Sequence, residues 1–255
     1  MSIVKKNDSR LTNDAYLVSG PRIIVALDFP DTHALLNFVD RLHPEACRLK
    51  IGKEVFTREG PKLIEQLMKK GFDIFLDLKF HDIPTTVAKA CLSACELGVW
   101  MMNVHALGGS RMMKKVTEEV QLHYASAPLL IAVTLLTSLN ESDLQELNFT
   151  GDMTSNVLRL ASLAKQSNMQ GVVASAWEAK AIKAACGQNF IVVTPGIRLD
   201  HDSKDDQHRI MTPTQAVENG ADYLVMGRPI TSAAEPLCVL ERITSDLQKI
   251  YTLRT

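Results

Sequence analysis

Short apolar runs and longer amphipathic runs take turns along the whole chain. The apolar runs have the length and β-branched content of strands, and the amphipathic ones carry the spacing of helices with one buried face. RIIVALD (22–28) predicts a first strand, with Asp31 placed to cap a helix over ALLNFVDRL. CRLKIG (47–52) predicts a second, followed by a helix in PKLIEQLMKKG that Gly71 closes. FDIFLDLK (72–79) and WMMNVHA (100–106) predict the third and fourth strands, each leading into a helix, TTVAKACLSACELG and GGSRMMKKVTEEVQLHY. LLIAVTLLT (129–137) predicts the fifth, with a polar loop before the helix TSNVLRLASLAKQ. GVVASA (171–176), FIVVTPGIR (190–198) and ADYLVMG (221–227) predict the last three. Their helices fall in EAKAIKAACG, near TPTQAVENG and in PLCVLERITSDLQKIY.

Strands that alternate with helices imply a parallel sheet, and eight such units in a chain of 255 residues match a (β/α)8 TIM barrel of the α/β class. A doubly wound open sheet is disfavoured, because no G-x-G-x-x-G follows the first strand. The expected organisation is a polar N-terminal arm over residues 1–20 and a single barrel domain over 21–255.

Composition narrows the partners. The chain is 46% hydrophobic and 22% charged with a net charge of −1, which suits one large core and lacks the basic footprint of a nucleic-acid or anionic-membrane binder. No apolar run approaches the roughly 18 residues of a spanning helix, and the N-terminal stretch lacks the apolar middle of a signal peptide. Five scattered cysteines without framework spacing fit reduced thiols in a cytoplasm. Cys91 and Cys95 have a spacing that can hold a metal on a helix, but packing is the better reading, and no metal is expected. The methionine clusters at 101–102 and 112–113 also read as packing.

The chemistry gathers where such a barrel keeps its catalytic groups, at the C-terminal ends of strands. Asp28 ends the first strand, Lys50 lies near the end of the second, and Asp77 and Lys79 end the third, with Asp82 just beyond. Thr137 and Ser138 end the fifth strand, Arg198 follows the seventh, and Gly227 and Arg228 follow the eighth. Positions 77 and 79 differ by two, which places both side chains on one strand face, while Ile74, Leu76 and Leu78 take the other. A lone Asp–Lys pair reads as structural. Four alternating charges at one rim read as a site. Asp82 also reads as a residue able to cap the helix that begins at Ile83-Pro84.

A lysine among carboxylates keeps its charge, which disfavours a Schiff-base nucleophile and suits a proton donor or carbanion stabiliser. Gly196, Arg198, Gly227 and Arg228 fall on the loops that often hold a phosphate in TIM barrels. The polar loop LDHDSKDDQHRIMTP between them reads as a solvated lid. His105, at the end of the fourth strand, reads as a hydrogen-bonded structural histidine before it reads as an acid.

DLKFHDIPTT (77–86) resembles the D-x-K-x-x-D-I-P-x-T signature of the orotidine 5′-phosphate decarboxylase family, in its compact bacterial, monofunctional form. ALD (26–28), LKIG (49–52), VTLLTS (133–138), TPGIR (194–198), DQHRIMTP (206–213) and MGRP (226–229) extend the resemblance in order around the barrel. The resemblance implies a homodimeric cytoplasmic enzyme that converts orotidine 5′-phosphate to UMP without metal or organic cofactor. It implies that Lys79 protonates pyrimidine C6, that Asp77 faces the leaving carboxylate, and that Asp82 reaches in from the partner subunit. Ile83 and Thr86 lie on that same crossing segment. Lys50 and Asp28 are implied at the ribose hydroxyls and as completing the charge chain, Lys50 with a catalytic part, Thr137 and Ser138 near the ribose and base, and Arg198, Gln207, Gly227 and Arg228 at the phosphate. Two rivals stand beside it. One is a barrel relative that uses magnesium to hold an enediolate; the other is a barrel that only binds nucleotides.

Overall fold

The computed structural model describes residues 20–199 and 211–252. Eight parallel strands close into a barrel in sequence order, with β8 returning to pair with β1. The order is β1 (Ile23–Ala26), α1 (Thr32–Val39), β2 (Arg48–Gly52), α2 (Lys53–Glu59), α3 (Pro61–Lys69), β3 (Ile74–Phe80), α4 (Pro84–Glu96), β4 (Met101–His105) and α5 (Gly109–His123). It continues with β5 (Leu129–Val133), α6 (Glu141–Glu146), α7 (Met153–Gln166), β6 (Gly171–Val173), α8 (Ala176–Cys186), β7 (Ile191–Thr194), α9 (Pro213–Glu218), β8 (Tyr223–Met226), α10 (Arg228–Thr231) and α11 (Pro236–Thr252).

The short apolar runs become strands because both faces are covered. Ile24, Phe75, Met101, Ile131, Val193 and Val225 fill the barrel interior, while Val25, Leu49, Leu76, Val104, Val192 and Leu224 pack outward against the helices. Alternation along each strand thus feeds two cores, the pattern of a parallel sheet buried on both sides. At Gly171 a side chain would collide with the Ile191 carbonyl of β7, so β6 needs glycine there.

Caps set the helix starts. The Asp31 carboxylate accepts the Ala34 N–H at 2.8 Å and begins α1, as its position in the chain predicts. Three helices among the described residues lie where the hydrophobic pattern gave none, one of them the single-turn α10 after β8. α2 follows β2 directly at Gly52, and α6 occupies the polar loop after β5, held by a capping box between Asn140 and Asp143. Asp82 does not cap α4. Ile83 is the N-cap residue there, and among the described residues the Asp82 carboxylate accepts only the adjoining Ile83 N–H, at 2.6 Å.

The four cysteines other than Cys238 are buried. Burial pushes the Cys91 thiol up to about 12 and the Cys95 thiol up to about 11, which makes them inert packing groups. No helix among the described residues is long and apolar enough to cross a membrane.

Candidate active site

Four side chains, one just past the end of β1, one on β2 and two on β3, form a line of alternating charge at the C-terminal mouth of the barrel. The Lys79 ammonium donates to Asp77 Oδ1 at 2.7 Å. On the other side of that carboxylate, Lys50 Nζ lies 3.5 Å from Asp77 Oδ2. Lys50 also reaches Asp28 Oδ1 at 3.4 Å. The register explains the proximity, since Ala26 pairs with Lys50 and Gly52 with Asp77.

Burial grades along this line. The side chains of Lys50 and Asp77 keep only 11% and 13% of their surface, Lys79 keeps 27%, and Asp28 keeps 63%. Burial alone would raise the Asp77 carboxyl. The charges of Lys50 and Lys79 and hydrogen bonds from Lys79 and Asn103 outweigh it and hold the group below its usual range. Asp77 is therefore an anion fixed between two cations.

The end of β3 is irregular. Leu76 pairs with Met102 and Phe80 with Val104, so Asp77, Leu78 and Lys79 together face the single residue Asn103. Lys79 sits at φ 51°, a left-handed conformation rare for a non-glycine residue. The period-two argument put Asp77 and Lys79 side by side, and they are; a bulge, not plain alternation, holds them there.

Asn103 is a residue the sequence reading passed over. Its side chain is buried, its Oδ1 accepts the Lys79 N–H at 2.7 Å, and its Nδ2 donates to Asp77 Oδ1 at 2.7 Å. The signal was there: an amide inside the apolar strand MMNVH needs polar partners, and the strand beside it supplies them. His105 stacks on His81 with ring centroids 5.5 Å apart. Burial, then the charges of His81, Lys79 and Lys53, lower its pKa to about 4, so it is a neutral acceptor for the Leu107 N–H at neutral pH.

Asp28 and Lys50 also line a cavity of about 480 Å³ whose far wall is Gly196, Arg198, Gly227, Arg228 and Thr231. The Asp28–Lys50 end of the charged line and the two arginine-bearing loops therefore open on one space, which Asp77 and Lys79 do not themselves line. Arg198 belongs to a segment tied across its ends, where Ile197 bridges Met211 and the Arg198 N–H donates to the Met211 carbonyl at 3.2 Å. Gln207 lies outside the described residues. Thr137 and Ser138 occupy the turn after β5 and do not line this cavity. Asp82, Ile83 and Thr86 stand exposed beyond the charged line, Ile83 with 66% of its surface open.

Barrel, charged line and basic cavity together define a (β/α)8 enzyme with an Asp-Lys array at its mouth. A family model described as Orotidine 5′-phosphate decarboxylase / HUMPS family matches residues 21–243, and the chain belongs to that family. It is 56% identical over 233 residues to the orotidine 5′-phosphate decarboxylase of Nitrosospira multiformis, covering 91% of this chain and 96% of that one. Identity to the orotidine 5′-phosphate decarboxylase of Tolumonas auensis is 55%, covering 89% and 98%. Among solved structures, the orotidine 5′-phosphate decarboxylase of Lactobacillus acidophilus superposes with a TM-score of 0.79 at 37% identity, over 90% of this chain and 99% of that one.

Proposed function

We propose that this chain decarboxylates orotidine 5′-phosphate to UMP, the last step of de novo pyrimidine synthesis, without metal or organic cofactor. One observation carries the reading. The Asp28–Lys50 end of the Asp28–Lys50–Asp77–Lys79 line and the Arg198/Arg228 wall share one cavity, of a size for a nucleoside monophosphate.

The chemistry follows from the charges. The C6–carboxylate bond breaks, CO₂ leaves, and the electron pair stays on C6 in the ring plane, where the π-system delocalises it poorly. A fixed ammonium at that carbon stabilises the charge and then donates its proton to C6. Lys79 supplies that group and regains a proton from solvent. Asp77, held ionised by its neighbours, faces the substrate carboxylate, and their repulsion is relieved as CO₂ departs. Lys50 and Asp28 bind the ribose hydroxyls, with Thr137 and Ser138 closing on the sugar and base. Arg198, Gly227, Arg228 and Gln207 take the phosphate. Binding energy from that remote anion holds the pyrimidine against the charged line.

The working enzyme is a homodimer in which Asp82, with Ile83 and Thr86, completes the partner's site. The exposed positions of all three, and a carboxylate whose hydrogen bond among the described residues is to the neighbouring N–H alone, support this. The unpaired cysteines support a cytoplasmic location.

Ultraviolet absorbance of orotidine 5′-phosphate, followed with the purified chain before and after treatment with a chelator, tests the reading. Equal turnover in both supports it. Loss of turnover on metal removal would favour the enediolate chemistry of the barrel's magnesium-dependent relatives, and binding without turnover would make the chain a nucleotide-binding module.

A further inference from the structure

We infer that Asn103 is a positioning residue for the decarboxylation, acting through both Asp77 and the backbone of Lys79; the inference rests on the decarboxylase reading. Three residues of β3 face Asn103 alone, so the regular ladder between β3 and β4 is interrupted where the two charged groups must be aimed. The Asn103 amide fills the interruption. With Oδ1 it takes the Lys79 N–H, and with Nδ2 it donates to Asp77 Oδ1, each at 2.7 Å.

Only one orientation of that amide serves both neighbours. Reversed, it would point its oxygen at a carboxylate and its NH₂ at a backbone N–H, two repulsive contacts in a site 1% exposed. The amide thus couples two settings. It fixes which way the Asp77 carboxylate turns, and it holds Lys79 at φ 51°, a conformation the chain does not favour unaided. Asp77 Oδ1 receives both the Asn103 amide and the Lys79 ammonium, so the position of the ammonium is set at both its root and its tip. Asn103 does not line the cavity and gives no group to the nucleotide. It governs where the proton donor stands, not how tightly substrate binds.

The test compares the unmodified enzyme with Asn103→Ala and Asn103→Asp, measuring kcat, KM, their pH profiles and thermal stability. In Asn103→Ala, kcat is expected to fall about 100-fold, since a small misplacement of a reacting group has that cost, with KM within about threefold. Asn103→Asp keeps the shape and the acceptor for the Lys79 N–H but sets a second carboxylate against Asp77. Its kcat is expected to rise as pH is lowered from about 8 to about 5.5, because a proton shared between the two carboxylates restores the missing donor. No such rise is expected of the unmodified enzyme. A kcat within about threefold of the unmodified value in Asn103→Ala would overturn the inference. So would an Asn103→Asp pH profile that keeps the unmodified shape, even if stability drops; that variant decides the matter if Asn103→Ala does not fold. An unmodified chain without decarboxylase activity overturns the functional reading and this inference together. An active unmodified chain with an unimpaired Asn103→Ala variant overturns the inference alone.

Discussion

The two ends of the barrel both carry buried charge, and they use it differently. At the floor, where the strands begin, Arg48 donates to Asp73 at 3.0 Å and lies over the Trp100 ring at 4.0 Å, with Tyr223 at 5.5 Å. Nearby, Lys183 reaches the Asp222 carboxylate at 2.6 Å and the Gln188 and Phe190 carbonyls at 2.8 and 2.9 Å. Every proton on that ammonium has a protein acceptor. At the mouth, Lys50 touches its two carboxylates at 3.4 and 3.5 Å and lines the cavity, and the Lys79 ammonium, on a side chain 27% exposed, makes one close ion-pair contact among the described residues. A buried cation whose donors are all taken is structural. One left with spare donors beside a cavity is equipped for a ligand.

That contrast is sharpened by variants that should separate stability from turnover. Lys50→Ala is expected to lower kcat/KM about 10³-fold with little change in the urea midpoint, because its charge acts on the reacting site. At the floor, Lys183→Met should do the reverse. It leaves Asp222 without its cation and costs about 3 kcal/mol in urea denaturation, with kcat unchanged. A loss of turnover in the folded Lys183→Met protein would break the division between the two ends.

The mouth also carries a stability cost that depends on pH. The His105 pKa is about 4 in the folded protein against an ordinary 6.5. Between those values the unfolded chain binds more protons, so this contribution to stability is complete above about pH 6.5 and declines as pH falls toward 4. His105→Gln is expected to lose less stability between about pH 7 and about pH 5 than the unmodified protein, read from urea midpoints at each pH. The smallest effect is expected at Gly52, where an added Cβ would stand 3.1 Å from Lys50 Nζ and 3.6 Å from Asp28 Oδ1. The Gly52→Ala variant should lower kcat/KM about tenfold by pressing on the ammonium, with stability nearly unchanged.

The sequence displayed the barrel clearly because each strand is a short apolar run bounded by turn residues, and a sheet covered on both faces demands that pattern. It displayed the charged line for a related reason: Asp28, Lys50, Asp77 and Lys79 are conspicuous against apolar neighbours. What stayed hidden is set by contacts between elements. The bulge at Lys79 runs against the residue's own backbone preference and exists because Asn103 on β4 accepts its N–H. α2 has no side-chain cap and only seven residues, too few for a clear amphipathic stripe. α6 could have been found from the Asn140–Asp143 spacing, a capping box inside a stretch read as loop. Asp82 shows the opposite error. Its place before Ile83-Pro84 resembles a cap, but the helix starts one residue later and leaves the carboxylate outside.

The central claim is that the Lys79 ammonium, held by Asp77, delivers the proton to C6. The turnover number of Lys79→Ala on orotidine 5′-phosphate, measured beside the unmodified enzyme with the same folded fraction, tests it most directly. The account predicts a loss of at least about 10⁴-fold, since one group supplies both charge stabilisation and the proton. A variant that turned over substrate within about tenfold of the unmodified enzyme would contradict it.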